Sequence, residues 1–306
     1  MNIDMLVKRV EKLVQEFEPG GKLLRHWTLD GGISSHMLAV EIERPNGQIV
    51  RRIARQPNPY TVASSAYPAE REFLTLKAVR LAGVPAPEPV YLEPMRDGGE
   101  SPLYFLEYIE GKPNLSPKDP SAFVATYATE LARIHQVDWA KEDWDFLPRQ
   151  GFLPMTKRQG EANTLLRESE IVTALAGWTP TASTPALRHG DFWPGNLIWQ
   201  DDQFAGVIDW EEACIGEPLS DLAICRLDLA WVLGDDASEE FTSMYTSLIH
   251  CSTAELPYWD LWASLRPIRN IGEWAGAYPK LGRPDITEAT ITATHLRFVA
   301  KALASI

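Results

Sequence analysis

His189-Gly-Asp-Phe-Trp-Pro-Gly-Asn196, followed by Val207-Ile-Asp-Trp210, is the stretch from which the rest of the chain can be read. It sets Asp191 and Asn196 five positions apart in a loop bearing Pro and Gly. Asp209 comes thirteen residues further on, at the end of the apolar run Phe204-Ala-Gly-Val-Ile208. Two carboxylates and a carboxamide at these separations suit phosphoryl transfer. In a kinase-type site one Asp accepts the hydroxyl proton of the acceptor and an Asn five residues later ligates magnesium. A second Asp, beyond a short strand, joins the metal to the nucleotide phosphates. Taken singly, Asp191 would be a turn cap, Asn196 a turn residue after Gly195, and Asp209 the N-cap of a helix starting near Glu211. The joint spacing selects the catalytic reading.

Composition sets the frame around that motif. The chain has 306 residues, 45% hydrophobic and 23% charged, enough for a sizeable core in one two-lobed domain or two domains. A net charge of -13 argues against a nucleic-acid partner, since an acidic body repels a phosphate backbone. Cys214, Cys225 and Cys251 are odd in number and show no metal-type pairing, which fits small core residues in a reducing cytoplasm. The first thirteen residues mix acids and bases and lack the apolar core of a signal peptide. The most apolar stretch, Leu219 to Leu233, is interrupted by Asp221, Arg226 and Asp228. No segment therefore reaches the roughly 20 apolar residues that cross a bilayer, and no membrane partner is expected.

Periodicity divides the chain in two. Ile3, Leu6, Val7, Val10, Leu13, Val14 and Phe17 recur at helical spacing, and Pro19-Gly20-Gly21 stops them. Three extended runs follow, Leu23 to Leu29, Met37 to Ile42 and Gln48 to Ala54, with Pro45-Asn46-Gly47 reading as a hairpin turn. Ala69 to Leu81 returns to helical period, and strands are expected at Val90–Leu92 and from Leu103 towards Ile109. After Gly111 helices are expected at 121–136, 161–176, 219–233, 238–250, 258–277 and 287–304. The exception is the motif itself, where Leu197-Ile-Trp199, Asp201-Asp202 and Phe204 to Ile208 form a small hairpin carrying the motif loop at one end and Asp209 at the other.

His189-Gly-Asp-x-x-x-x-Asn196 with Ile208-Asp-Trp210 resembles the aminoglycoside phosphotransferase family, which shares the protein-kinase-like fold with choline and homoserine kinases. The resemblance covers most of the chain, from residue 29 to the helices near 275, and is highly specific only in the motif region. It implies an α+β, bilobal fold: an N-terminal antiparallel-sheet lobe over 1–106, a hinge at 107–111, and a larger, mainly helical lobe over 112–306. It implies Asp191 as the catalytic base and Asn196 and Asp209 as magnesium ligands. His189 braces the loop, and Gly190 stands where protein kinases carry Arg.

For the nucleotide, the phosphate-covering loop falls at Asp30-Gly-Gly-Ile-Ser-Ser35, with Gly31, Gly32, Ser34 and Ser35 offering amides and hydroxyls. Gly-Gly between strands is equally a plain hairpin turn. The phosphate-binding cation is assigned to Arg55, oriented by Glu72, because family sequences often carry Arg-x-Pro at this strand end and Arg-Glu a helix later, as Arg55-Gln-Pro57 and Arg71-Glu72 do. Arg51 lies on the same strand face and competes for the role. Backbone groups of Glu107 and Ile109 would meet the adenine, and Tyr108 would pack. Asp221 is read as structural, bracing the motif loop. Arg266, Asn270, Glu273 and Trp274 share spacing on a late helix and form a candidate acceptor wall, alongside their simpler reading as lobe packing.

The expected function is therefore ATP-dependent (less readily GTP-dependent) transfer of a γ-phosphoryl, with magnesium, to a small-molecule hydroxyl acceptor. Aminoglycoside, macrolide, choline-like, amino-alcohol and sugar acceptors all fit, because fold and motif leave the acceptor open. The alternative is a non-catalytic nucleotide-binding regulatory or interaction protein on the same fold. The sequence does not reveal the oligomeric state.

Overall fold

A computed structural model describes residues 3–29, 35–58, 67–94, 101–141, 144–150, 161–181 and 184–306. The chain divides into two compact units, Met1–Glu110 and Gly111–Ile306.

The first unit is a helix-covered antiparallel sheet. Helix α1 (Ile3–Phe17) buries Leu6, Val10, Leu13 and Val14 at helical spacing. They pack on Leu38, Val40, Ile42, Ala54, Leu103 and Phe105. Strands β1 (Lys22–Thr28), β2 (Ser35–Glu43), β3 (Ile49–Pro57), β4 (Pro89–Leu92) and β5 (Tyr104–Glu107) lie in the order β1-β2-β3-β5-β4. The expected Pro-Asn-Gly turn joins β2 to β3. Gly47 takes φ 81, a value open to Gly at little cost, and Asn46 accepts from the Gln48 amide. Helix α2 (Pro68–Leu81) follows β3 and opens on Pro68.

The second unit is mainly helical. Its elements are β6 (Lys112–Pro113), α3 (Pro120–His135), β7 (Arg149–Gln150), α4 (Glu168–Leu175), β8 (Ala186–Arg188), β9 (Leu197–Gln200), β10 (Gln203–Val207), β11 (Cys214–Gly216), α5 (Pro218–Val232), α6 (Asp235–Ile249), α7 (Leu256–Ser264), α8 (Ile271–Ala275) and α9 (Glu288–Leu303). The hairpin β9–β10 forms as expected. Asp201 and Asp202, at φ 50 and 62, make the two-residue turn whose twist matches the strands.

Two expectations need correction, and one discarded alternative can be checked. The helix expected over 258–277 is broken into α7, a 3-10 turn at Arg266–Arg269 and the short α8. Pro267 cannot donate a helical hydrogen bond, so the run cannot continue unbroken through it. The helix expected from 161 begins only at Glu168, after Arg167 in a left-handed conformation at φ 57. No helix starts at Glu211; the chain turns there and enters β11, which pairs with β8 and β7 in a small sheet too short to announce itself by alternation.

Helix α5 is the axis of this unit, with every residue from Leu219 to Val232 buried. That explains an apolar run carrying three charges, each of which needs a buried partner. Arg226 pairs with Asp260 at 3.0 Å, Asp221 with Arg188 at 2.9 Å, and Asp228 lies 3.9 Å from Arg266. Among the described residues, no helix is long and apolar enough to cross a membrane.

One buried group has no such partner. His295 on α9 is fully buried near Trp231, and neither ring nitrogen meets a hydrogen-bond partner among the described residues. Burial therefore lowers its pKa to about 4, against 6.5 for an ordinary histidine. The unfolded chain takes up this proton first. Stability is complete above the unfolded value and falls as pH drops from there towards the folded value, by about 2 kcal/mol at pH ~5. Urea melts at neutral pH and at pH ~5 should show that loss in the wild type and a smaller one in His295→Phe.

Candidate active site

The motif loop runs between β8 and β9 and is held by hydrogen bonds to its backbone from both sides. Asp221 reaches from the first turns of α5. One of its oxygens accepts from Arg188 Nε at 2.9 Å, and the other accepts from the amides of His189 at 2.9 Å and Gly190 at 3.3 Å. His135 Nε2 stands 3.5 Å from the same carboxylate. Burial alone would raise Asp221, but the adjacent Arg188 guanidinium, with His135 beside the carboxylate, outweighs it and holds the carboxyl well below the usual range. Asp221 thus braces the loop as a permanent anion.

His189 is also buried and braces from the inside. Its Nδ1 accepts from the Asp191 amide at 3.3 Å, which places the ring proton on Nε2, where it donates to the Ile208 carbonyl at 3.0 Å. Burial lowers its pKa, so it is neutral and links the loop to the residue preceding Asp209. The Phe192 carbonyl accepts from Tyr127 Oη and, at 3.0 Å, from Cys225 Sγ. Gly190 has φ 86, and a Cβ there would lie 2.4 Å from the Glu212 carbonyl oxygen. Gly190→Ala meets both a left-handed penalty and a clash with backbone. It should cost about 2–4 kcal/mol, visible as a lowered urea midpoint.

Asp191 and Asn196 are joined through the Asn196 side chain, and the strand end bearing Asp209 is tied to Asn196 through the backbone. Asn196 Nδ2 donates to the Asp191 carbonyl at 2.8 Å and lies 3.3 Å from Asp191 Oδ2. The Ile208 amide donates to the Asn196 carbonyl at 2.9 Å, so the strand end bearing Asp209 is tied to Asn196. Asp209 takes φ 65, a left-handed conformation that Asp tolerates better than most residues, which aims it from a bend rather than along β10. Asp191 Oδ1 accepts from Arg266 Nη2 at 2.7 Å. Arg266 in turn stacks over Trp274, with its guanidinium carbon 5.7 Å from the ring centroid. Asp228, behind Arg266, is pushed up to about 7 by burial and by the charge of Asp191, against the pull of Arg266.

In the first unit, Arg55 and Glu72 form a buried ion pair at 2.7 Å. Arg55 Nε donates to Ser35 Oγ at 3.2 Å, and Tyr104 Oη donates to Glu72. Arg51, the competitor, bonds Glu41 and Glu110 at 2.8 Å each and lines an open groove of about 500 Å³ with Arg52, Glu107 and Tyr108. The Glu107 amide donates to the Glu88 carbonyl at 2.8 Å, leaving its own carbonyl as the group that could serve a base. Ile109 is partly buried, and its amide has no acceptor among the described residues. Tyr108 packs edge-on to Trp27 at 5.9 Å. Gly31, Gly32 and Ser34 lie outside the described residues.

A family model described as the phosphotransferase enzyme family matches residues 28–268. The chain belongs to that family. Of the curated proteins, acyl-CoA dehydrogenase family member 10 of Mus musculus is 32% identical over 190 residues, which are 56% of this chain and 18% of that protein. The chain thus spans about a fifth of the length of that relative. Among solved structures, an amicoumacin kinase in complex with AMP-PNP and Ca2+ matches with a TM-score of 0.63 and 16% identity, over 99% of this chain and 96% of its own. A spectinomycin phosphotransferase in complex with ADP and spectinomycin matches with a TM-score of 0.61 and 11% identity, over 97% and 98%. At those identities the likeness is one of fold. That fold is the protein-kinase-like α+β architecture, with an antiparallel sheet at the N-terminus and helices at the C-terminus.

Around the motif of this family member, the partners absent from the sequence reading are Arg188, His135 and Asp228, together with the contact between Arg266 and Asp191. Arg188 adjoins the motif, and a charge inside an apolar strand is itself a signal of a buried partner. The Arg266 contact spans 75 positions and has no local signature.

Proposed function

We propose that this phosphotransferase moves the γ-phosphoryl of ATP to a hydroxyl of a small molecule, with Asp191 as base and Asn196 and Asp209 on magnesium. The observation that carries the reading is the joined loop, in which Asn196 bonds Asp191 through its side chain and, through its carbonyl, holds the backbone of the strand end bearing Asp209. Solved relatives in fold that bind AMP-PNP with Ca2+, or ADP, support a nucleotide and a divalent ion.

Asn196 and Asp209 fit a hard cation. The Asn196 amide nitrogen is committed to Asp191, and no described residue donates to its Oδ1, so the oxygen is the arm left for a metal. Magnesium, when bound, neutralises charge on the transferring phosphates. Arg55, held by Glu72 and next to Ser35, serves the phosphates, with the residue 31–35 loop covering them and Glu107 and Ile109 meeting the base. Asp191 accepts the acceptor's hydroxyl proton as the new O–P bond forms and the bond to ADP breaks. Its work is mainly orientation, since the transition state is loose.

A thermal-shift titration tests this. At about 100 times Kd, ATP with magnesium should stabilise the wild type by roughly 2.7 kcal/mol, and Asp209→Ala should lose the magnesium-dependent part. A wild type indifferent to nucleotide would end the kinase reading. A screen of hydroxylated metabolites and antibiotics for acceptor-dependent ADP release identifies the substrate.

A further inference from the structure

Arg266 is placed oddly for a residue that only packs. Its Nη2 bonds Asp191 Oδ1 at 2.7 Å, yet the side chain stays 23% exposed. Guanidinium has five N–H donors. Among the described residues only the bond to Asp191 is made, and the approach to Asp228 at 3.9 Å is too long to be another. The arm is nonetheless held, by the 3-10 turn containing Pro267 and by Trp274 beneath it. The consequence for Asp191 is direct. Its Oδ1 is occupied by Arg266, and its Oδ2 faces the Asn196 amide at 3.3 Å, so an incoming hydroxyl competes with an existing partner for the carboxylate.

We propose that Arg266 determines acceptor specificity by binding a carboxylate-class anion on the acceptor, so that the substrate is a hydroxy acid. This rests on the phosphotransferase function proposed above. A planar fork with unspent donors matches a carboxylate in bidentate geometry. When the acceptor's carboxylate takes the fork, one anion replaces another at the guanidinium, and Asp191 is released to receive the hydroxyl proton. The alkoxide oxygen bonds the γ-phosphorus, the bridging bond to ADP breaks, and ADP leaves with the electron pair. A cationic acceptor would instead set like charge against Arg266, which makes polycations and amino alcohols poor substrates.

The test uses the full chain in an ADP-release assay with ATP and magnesium. The probes are lactate, mandelate, pantoate and ricinoleate, their methyl esters, ethanolamine and choline. At least one acid should exceed its own ester by about 100-fold in kcat/KM. Arg266→Gln should lower that acid by a similar factor, chiefly through KM, and so collapse its preference over the ester. Arg266→Lys should recover part of the loss, as charge without the fork. Esters used as well as acids, a preference for ethanolamine or choline, or equal kcat losses for acid and ester in Arg266→Gln would overturn the assignment. If no acid is turned over while ATP still stabilises the protein, this inference fails and the kinase function stands. If ATP does not stabilise it, both fall.

Discussion

Asp191→Asn is expected to lower acceptor-dependent ADP release by about 10²–10⁴-fold in kcat while leaving ATP binding within about twofold of wild type. The substitution keeps the size of the side chain but removes the charge that takes the hydroxyl proton. The loop should hold its shape, because its position is set by contacts that do not use the Asp191 carboxylate: Asp221 to the amides of His189 and Gly190, and Tyr127 and Cys225 to the Phe192 carbonyl. The lost pair with Arg266 is partly exposed on both sides, at 33% and 23%, so it contributes at most about 1 kcal/mol. The paired measurement is steady-state kinetics beside a nucleotide thermal shift. Wild-type kcat in Asp191→Asn would remove the residue from the reaction; loss of nucleotide binding together with activity would show that it acts by holding the site.

Asp221→Ala should have the largest effect on stability, about 3–5 kcal/mol, because it leaves Arg188 charged and buried with its carboxylate gone. For a unit of this size that is a fall in Tm of roughly 10 °C. It also orphans the amides of His189 and Gly190, so activity should drop even at temperatures where the protein stays folded. Asp221→Asn separates the two contributions: it can accept from one amide but does not neutralise Arg188. The same ion pair makes stability depend on pH. A carboxyl held below its ordinary 3.8 contributes fully above that value and loses the contribution as pH falls beneath it. Differential scanning calorimetry of both variants beside the wild type checks the order, with Ala below Asn below wild type. Equal melting of all three would mean that Asp221 is a bystander.

Much of this chain was legible because its signals are local. The amphipathic α1, the Pro45-Asn46-Gly47 hairpin and the Asp201-Asp202 turn each follow from a few neighbouring residues whose conformational preferences agree with one another. Arg55 and Glu72 could be paired in advance because Arg55-Gln-Pro57 and Arg71-Glu72 resemble a pattern of the family, and the two side chains do form an ion pair. The late helix over 258–277 is divided because Pro267 interrupts it, a single residue that apolar spacing masks. The β7-β11-β8 sheet escaped notice because strands of two or three residues have no period to detect.

The order and separations of Asp191, Asn196 and Asp209 are covalent facts, readable from the chain before any folding. Their surroundings come from packing. That α5 buries Asp221 against Arg188, and that Arg266 crosses 75 positions to lie on Asp191, depends on how helices stack around a shared core. Contacts of that kind are set by packing energy summed over many residues, and no short stretch of chain encodes them.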